Sequence, residues 1–210
     1  MATDDSARRP LKSRSTSWAR ALSSALVARK VSPNGVSIFG IFVAIGGAVA
    51  MLAAGHWIPV WAGLLMGAAG VQLRLLCNLM DGLVAIEGGL KSKAGDLFNE
   101  APDRVEDTVL LVAAGYAAGH GELGWVCATL AMCAAYVRAL GASLGLGQDY
   151  RGPGAKPHRM AMLTVGLLSA AACSAFSVEF PALKVALWAI VLLTGITIIR
   201  RTVRIYQRLP

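Results

Sequence analysis

The sequence predicts an all-α integral membrane protein with six transmembrane helices and an N-terminal amphipathic helix lying in the membrane interface. Three observations predict it. The 210 residues are 56% hydrophobic and only 15% charged, with mean hydropathy +0.58, whereas a soluble domain carries roughly a quarter charged residues. Apolar stretches of about twenty residues recur, each long enough at about 1.5 Å per residue to cross a hydrocarbon core. The basic residues, finally, gather at both ends of the chain and at every second connection, which six spans place on one side.

The chain divides into a tail with an interfacial helix, 1–30, and a six-helix membrane domain, 31–210. The opening MATDDSARRPLKSRSTS has no apolar core of a cleavable signal, so the first true span is expected to direct insertion. SWARALSSALVARK follows, with Trp18, Leu22 and Leu26 at four-residue intervals and Arg20, Arg29 and Lys30 free to face headgroups. That pattern suits a helix lying in the interface. Spans are expected at 35–55, 58–78, 104–119, 123–146, 160–178 and 182–200. The third reaches full length only if its helix starts back near Asn99.

Of the twenty Lys and Arg residues, seven precede the first span, and four (Arg74, Lys91, Lys93, Arg104) flank the second connection. Four more (Arg138, Arg151, Lys156, Arg159) flank the fourth connection, and Arg200, Arg201, Arg204 and Arg208 follow the last span. Lys184 alone falls on the opposite side. The positive-inside rule then places both termini and the segment between the second and third spans in the cytoplasm. The net charge of +8 is therefore read as topology and attraction to anionic lipid, and nucleic acid is excluded as a partner.

Cys77, Cys127, Cys133 and Cys173 lie in or beside apolar segments with no CxxC, and read as small core residues. The pairs Gly63/Gly67, Gly115/Gly119 and Gly141/Gly145 each form GxxxG. Such spacing suits close helix packing within one bundle, and a homodimer face is the alternative it leaves open.

One segment breaks the apolar pattern. Seven of the twelve acids fall between Asp81 and Asp107. An ionisable group at membrane depth costs roughly 2.5–3.5 kcal/mol unless paired, hydrated or bound to a cation. Asn78 and Asp81 stand three apart at the inner end of the second span, and Asn99 and Asp103 four apart at the start of the third. Both steps keep side chains on one helix face, so two antiparallel helices could aim four oxygen-bearing groups at one point. Hard divalent cations take such carboxylate and amide oxygens and share them with substrate phosphates. Gly82 and Ala85 leave space beside that point. Local structure accounts for other acids: Glu100 and Arg104 form an i,i+4 pair, and Glu106 and Asp107 read as interfacial. Pro102 sits in the first turn or kinks the helix.

The spacing resembles that of the CDP-alcohol phosphotransferase family. Its motif is Asp-x-x-Asp-Gly-x-x-Ala-Arg, eight or nine residues, then Gly-x-x-x-Asp-x-x-x-Asp. This chain reads Asn78-x-x-Asp81-Gly82-x-x-Ala85-Ile86, eight residues, then Gly95-x-x-x-Asn99-x-x-x-Asp103, matching every interval over 26 positions. The family's Pro-Asn entry to the first span also appears, as Pro33-Asn34, and the likeness extends over nearly the whole chain beyond the tail.

The resemblance implies transfer of a phosphoalcohol group from a CDP-alcohol, usually CDP-diacylglycerol, to the hydroxyl of an acceptor alcohol, with release of CMP. It implies Mg²⁺ or Mn²⁺ held by Asn78, Asp81, Asn99 and Asp103, with Asp103 also the general base. Asn34, Gly82, Ala85 and Gly95 would adjoin the CDP moiety. Asn at two of the four acidic positions removes two negative charges, so one ion or weaker binding is expected. Glu87 and Glu100 are the neighbours that could supply the missing charge, and Lys91 or Lys93 could stand in for the Arg replaced by Ile86. Arg138, Lys156, His158 and Arg159 gather on the same predicted face and could hold an anionic acceptor or a lipid phosphate. The run Tyr136 to Ala139 is similar to that of inositol-phosphate-type members. Two other readings remain: a CDP-lipid-binding scaffold without turnover, and a small transporter. A transporter would spread polar residues through several spans, whereas here the acids collect at one end.

Overall fold

The computed structural model describes residues 16–90 and 93–209, and the side chains of Lys93, Ala94, Asp96 and Asn99 lie outside the described set. So do the expectations made for residues 1–15 and for Lys91. Seven helices fill the described residues: α1 Ser17–Ala28, α2 Pro33–Ala53, α3 Val60–Glu87, α4 Lys93–Ala117, α5 Gly121–Ser143, α6 Lys156–Ala175 and α7 Ala182–Arg208. Four of them, α2, α3, α5 and α7, are long and apolar enough to cross a membrane. In α4 and α6 the charges at their N-terminal ends dilute the apolar signal.

Three boundaries differ from the sequence expectation, all at one end of the bundle. α3 continues to Glu87 instead of stopping near residue 78, α4 begins at Lys93 before Asn99, and α7 runs on to Arg208. The motif residues thus lie on helices that project past the apolar stretches, where hydropathy alone cannot see them. Pro102 lies well inside α4, not in its first turn, so the carbonyl of Phe98 loses its i+4 donor. At the start of α2, Ser32 caps the helix by accepting from the Gly35 N–H at 3.1 Å, with Pro33 at the first helical position.

The six longer helices close into a ring, each packing on the next in the order α2, α3, α6, α7, α5, α4 and back to α2, with α3 and α4 also touching. α1 lies outside, against α3. Ala19 and Ser23 are its buried positions, whereas Trp18 and Leu22 stay exposed. The predicted apolar stripe is therefore only partly used within the bundle.

The core is built of small residues and leucines: Ala44, Ala48, Ala68, Val71, Leu110, Leu111, Leu163 and Leu187 are all nearly inaccessible. Where α2 crosses α3, Gly47 and Gly70 meet backbone to backbone, and a Cβ on Gly47 would stand 3.1 Å from the Gly70 Cα. Gly63 and Gly67 also face α2, and Gly115 faces Gly124 of α5. Gly119 and Gly145, by contrast, follow helix ends at positive φ. Two of the three GxxxG pairs thus combine a packing glycine with a helix stop. Large apolar side chains, among them Phe39, Phe42, Leu65, Trp188 and Ile199, point outward. A surface of this kind together with the apolar helices is that of an integral membrane protein.

The α2–α3 crossing gives a stability test. Gly47→Val should destabilise the bundle by about 1–3 kcal/mol through overpacking. Gly46→Val, at a neighbouring position with open space around it, should cost far less. Thermal unfolding in detergent should lower Tm for the first variant alone, and equal losses would show that the two helices do not cross at Gly47.

Candidate active site

Polar side chains repeat at helical spacing on three helices and meet at one end of the ring. Arg74, Asn78 and Asp81 line one face of α3; Asp103, Glu106 and Asp107 line α4; Lys156, Arg159 and Met160 open α6. α2 adds Ser37, and the start of α2 lies at this same end because successive helices alternate in direction.

The deepest member is Arg74, whose side chain is 0% exposed. Its NH1 donates to Glu106 Oε2 at 3.1 Å, while NH2 binds Asp107 Oδ1 and approaches Met160 Sδ at 2.8 Å. Arg159 meets the other oxygen of Asp107 at 3.1 Å and the Gly154 carbonyl at 2.8 Å. Asp107 is thereby gripped by two guanidinium groups, one from α3 and one from α6. Glu106 and Asp107 are consequently buried within the bundle, which corrects the expectation that they are interfacial. Arg74 is likewise no topology charge: an unpaired guanidinium could not be buried at this depth.

Nearer the bundle end, Asp103 receives Asn78 Nδ2 at 2.6 Å and is ion-paired with Lys156. Arg104 and Arg74 stand 3.4 and 3.7 Å from it. The same Asn78 nitrogen also donates to Glu106 Oε2 at 3.2 Å. Only the amide nitrogen can face two carboxylates, so the Asn78 Oδ1 points elsewhere. Asp81 is buried and accepts from Ser37 Oγ at 2.7 Å through Oδ2. Its Oδ1 has no hydrogen-bond partner, and neither has Glu106 Oε1. Two orphaned carboxylate oxygens in one buried cluster are what a hard cation would satisfy. Among the described residues no three His, Cys, Asp or Glu side chains form a metal cage by themselves. A donor set completed by amide oxygens and substrate phosphate is the kind that Mg²⁺ accepts.

The other expected site residues are spread around this cluster. Gly82 and Ala85 follow Asp81 on α3 and are half-buried, as is Asn34 in the first turn of α2. Gly95 lies in the first turn of α4. Ile86 is exposed. Glu87 is exposed too and accepts from Ser24 of α1 at 3.3 Å. Glu100 binds Arg138 at 2.6 Å and lies 3.7 Å from Arg104. Each of these two acids therefore has its own partners away from Asp81. His158 is exposed, with Nδ1 3.2 Å from the Gly152 carbonyl.

A pocket opens at the same end of the bundle, between α5, α7 and the connection 144–155. Arg138, Arg201, Arg204 and Arg208 line it together with Asp149. Arg138 also binds Gln148 at 2.7 Å and stacks over Tyr150 at 5.3 Å. Arg201 is held by the carbonyls of Ala134 and Arg151 at 2.8 and 3.1 Å. Partial burial pushes the Asp149 carboxyl upward, but hydrogen bonds from the Arg151 N–H, the Arg151 side chain and Arg204 outweigh it and hold the group below its ordinary range. The expected anion set of Arg138, Lys156, His158 and Arg159 is thus divided. Arg138 faces this pocket, whereas Lys156 and Arg159 are committed to the acids. The arginines of α7 were not expected here, although their spacing at 201, 204 and 208 already marks one helix face.

Removal of the central guanidinium should expose how much the cluster depends on it. Arg74→Met leaves Glu106 and Asp107 short of a buried partner, and should destabilise by about 3–5 kcal/mol. Arg74→Lys should recover part of that loss. Unfolding in detergent reads this directly, and an unchanged Tm for Arg74→Met would mean that the ion network does not form.

No family model matches the sequence. Among curated proteins, the phosphatidylinositol phosphate synthase of Streptomyces avermitilis is 28% identical over 193 residues, covering 86% of this chain and 74% of that protein. The enzyme of the same name from Mycobacteroides abscessus is 27% identical, covering 86% and 80%. Among solved structures, Mycobacterium tuberculosis phosphatidylinositol phosphate synthase with CDP-DAG bound superposes with TM-score 0.74 at 23% identity, over 90% of this chain and 93% of that one. The same enzyme in complex with manganese and citrate gives TM-score 0.74 at 22% identity, over 90% and 88%. The fold is therefore shared along almost the full length of both chains. The chain is thus similar to phosphatidylinositol phosphate synthases over most of its length, with the motif intervals kept and the helices that carry them in the same fold.

Proposed function

We propose that this protein transfers a phosphatidyl group from a CDP-alcohol such as CDP-diacylglycerol to the hydroxyl of a phosphorylated alcohol, releasing CMP, in phospholipid biosynthesis. The observation that carries this reading is the convergence of Asn78 and Asp81 from α3 with Asp103 from α4, at the motif's intervals and with buried acid oxygens left open. The relatives' shared name supports it. The arginine pocket supports a phosphorylated acceptor, since guanidinium groups suit phosphate.

In this reading the acceptor hydroxyl oxygen attacks the phosphorus that carries the lipid alcohol. The bond from that phosphorus to the oxygen of CMP breaks, CMP leaves as a phosphate monoester, and Asp103 takes the hydroxyl proton. A Mg²⁺ or Mn²⁺ ion held by Asn78, Asp81, Asn99 and Asp103 together with phosphate oxygens would offset the pyrophosphate charge and stabilise the leaving group. Lys156 is paired with Asp103. An entering phosphate competes for that ammonium and leaves the carboxylate free to act as base. Asn34, Gly82, Ala85 and Gly95 border the space assigned to the CDP moiety.

The same reading has six membrane spans, with α4 and α6 completing the four most apolar helices. α1 lies in the interface with Trp18 and Leu22 in lipid. Both termini and the site face the cytoplasm, as the basic residues at this end of the bundle require.

Purified protein with Mn²⁺ or Mg²⁺ and CDP-diacylglycerol should release CMP when offered a phosphorylated polyol from a panel of alcohols. Asp81→Asn and Asp103→Asn should each reduce the rate at least about 10²-fold. CDP-lipid binding with no CMP release from any acceptor would instead indicate a scaffold. Arg204→Ala should raise the KM for a phosphorylated acceptor about tenfold while leaving that for CDP-diacylglycerol unchanged. Equal effects on both substrates would place the acceptor outside the arginine pocket.

A further inference from the structure

We infer that Glu106, a residue outside the motif, supplies the divalent-cation site with one of the two carboxylate charges that Asn78 and Asn99 lack. The inference rests on the metal-dependent reading of the same site.

Glu106 is fully buried, with one oxygen engaged and the other open. Oε2 accepts from Arg74 and Asn78, while Oε1 has no partner. A glutamate acting only as counter-ion to Arg74 would not need a second oxygen kept bare, because burial makes each unpaired acid oxygen costly. Asp107 already pairs Arg74 as well as Arg159.

The Glu106 carboxylate belongs to the motif cluster by two independent contacts, one at each oxygen. Asn78 Nδ2 joins Glu106 to Asp103. On the other side, Ser37 and Gly40 stand three residues apart on α2: Ser37 binds Asp81, and Gly40 faces Glu106. A Cβ at position 40 would come within 2.6 Å of Glu106 Oε1, so the glycine keeps the space beside that oxygen clear. The Asp81 carboxylate and the open oxygen of Glu106 therefore flank the same stretch of α2. Glu87 and Glu100, the acids adjacent to the motif in sequence, are turned to Ser24 and to Arg138 with Arg104.

The arrangement also explains the asparagine. An Asp at 78 would put a third carboxylate within hydrogen-bond distance of Asp103 and Glu106 and remove the amide donor that they share. Asn78 and Glu106 thus form an exchange in which one negative charge has moved from α3 to α4.

The test is a titration of the purified full chain with Mn²⁺, with and without CMP, following free Mn²⁺ by electron paramagnetic resonance. Wild type is expected to bind. Glu106→Gln, which keeps the shape and the acceptor for Arg74, should weaken Mn²⁺ binding about tenfold or more. Asn78→Asp in the Glu106→Gln background should restore most of the loss, whereas Asn78→Asp alone should lower Tm. Should Glu106→Gln not fold, Gly40→Ala, which crowds Oε1 without removing charge, should weaken Mn²⁺ binding in the same direction. Wild-type affinity in Glu106→Gln or Gly40→Ala, or no rescue by Asn78→Asp, would overturn the inference and leave the metal-dependent reading standing. A wild-type chain that binds no Mn²⁺ under either condition would overturn both.

Discussion

A guanidinium group buried among membrane helices has few tolerable arrangements, and Arg74 occupies one of them. Its side chain is wholly inaccessible, and its hydrogen bonds go to Glu106 and Asp107 of α4. Taking an ion of this kind out of water costs several kcal/mol even after relaxation, so it persists only where acids meet it in good geometry. Asp107 must in turn bind Arg159, which ties α6 to the same point. α4, which touches α3 only lightly, is thereby held in fixed register with the packed pair of α3 and α6. The small-residue crossing of α2 and α3 then sets Ser37 and Gly40 against the same cluster. A one-turn slip of α4 would move Asp107 away from both guanidinium groups at once. Accuracy at Asp81 and Asp103 therefore follows from the deeper ion network.

That network also separates two kinds of basic residue at this end of the bundle. Arg74, Lys156 and Arg159 point into the acids. Arg138, Arg201, Arg204 and Arg208 face the neighbouring pocket. Glu100 stands between them, reaching Arg138 on one side and Arg104 on the other. The two recesses are therefore electrostatically linked, and charge entering one is felt by the side chains that shape the other. For a reaction joining a pyrophosphate donor to an anionic acceptor, such linkage reduces the repulsion that would otherwise keep the partners apart.

Much of this was legible from residue spacing. The helices and their alternation followed from apolar length and basic residues, and the meeting of α3 with α4 followed from Asn78, Asp81 and Asp103. The helix ends did not, because α3 and α4 continue as polar helices past the apolar stretches that mark a span. Arg74 was misread for a related reason: near the end of a span a lone arginine looks like a topology signal, and only its distant partners reveal burial. Glu106 and Asp107 are alike in this, since their place beside Asp103 near the start of a span suggests the interface. The arginines of α7 carried a usable signal in their three- and four-residue steps. What was missing was the fold of the connection 144–155, which brings Asp149 and Arg151 onto that face.

The substitutions in the motif look different once the third dimension is present. Read along the chain, asparagine at 78 is a lost charge. In the folded bundle it donates to both Asp103 and Glu106, and an aspartate there could not take that place without a proton or a cation between three acids. Motif intervals are preserved because they fix where helix faces meet, while the identity of each residue on those faces depends on what else has been brought there. A carboxylate arriving from α4 changes what position 78 must do, from carrying charge to separating it. The likeness to these enzymes is therefore carried here by spacing and topology, and the chemistry at each position is set by its neighbours across the bundle.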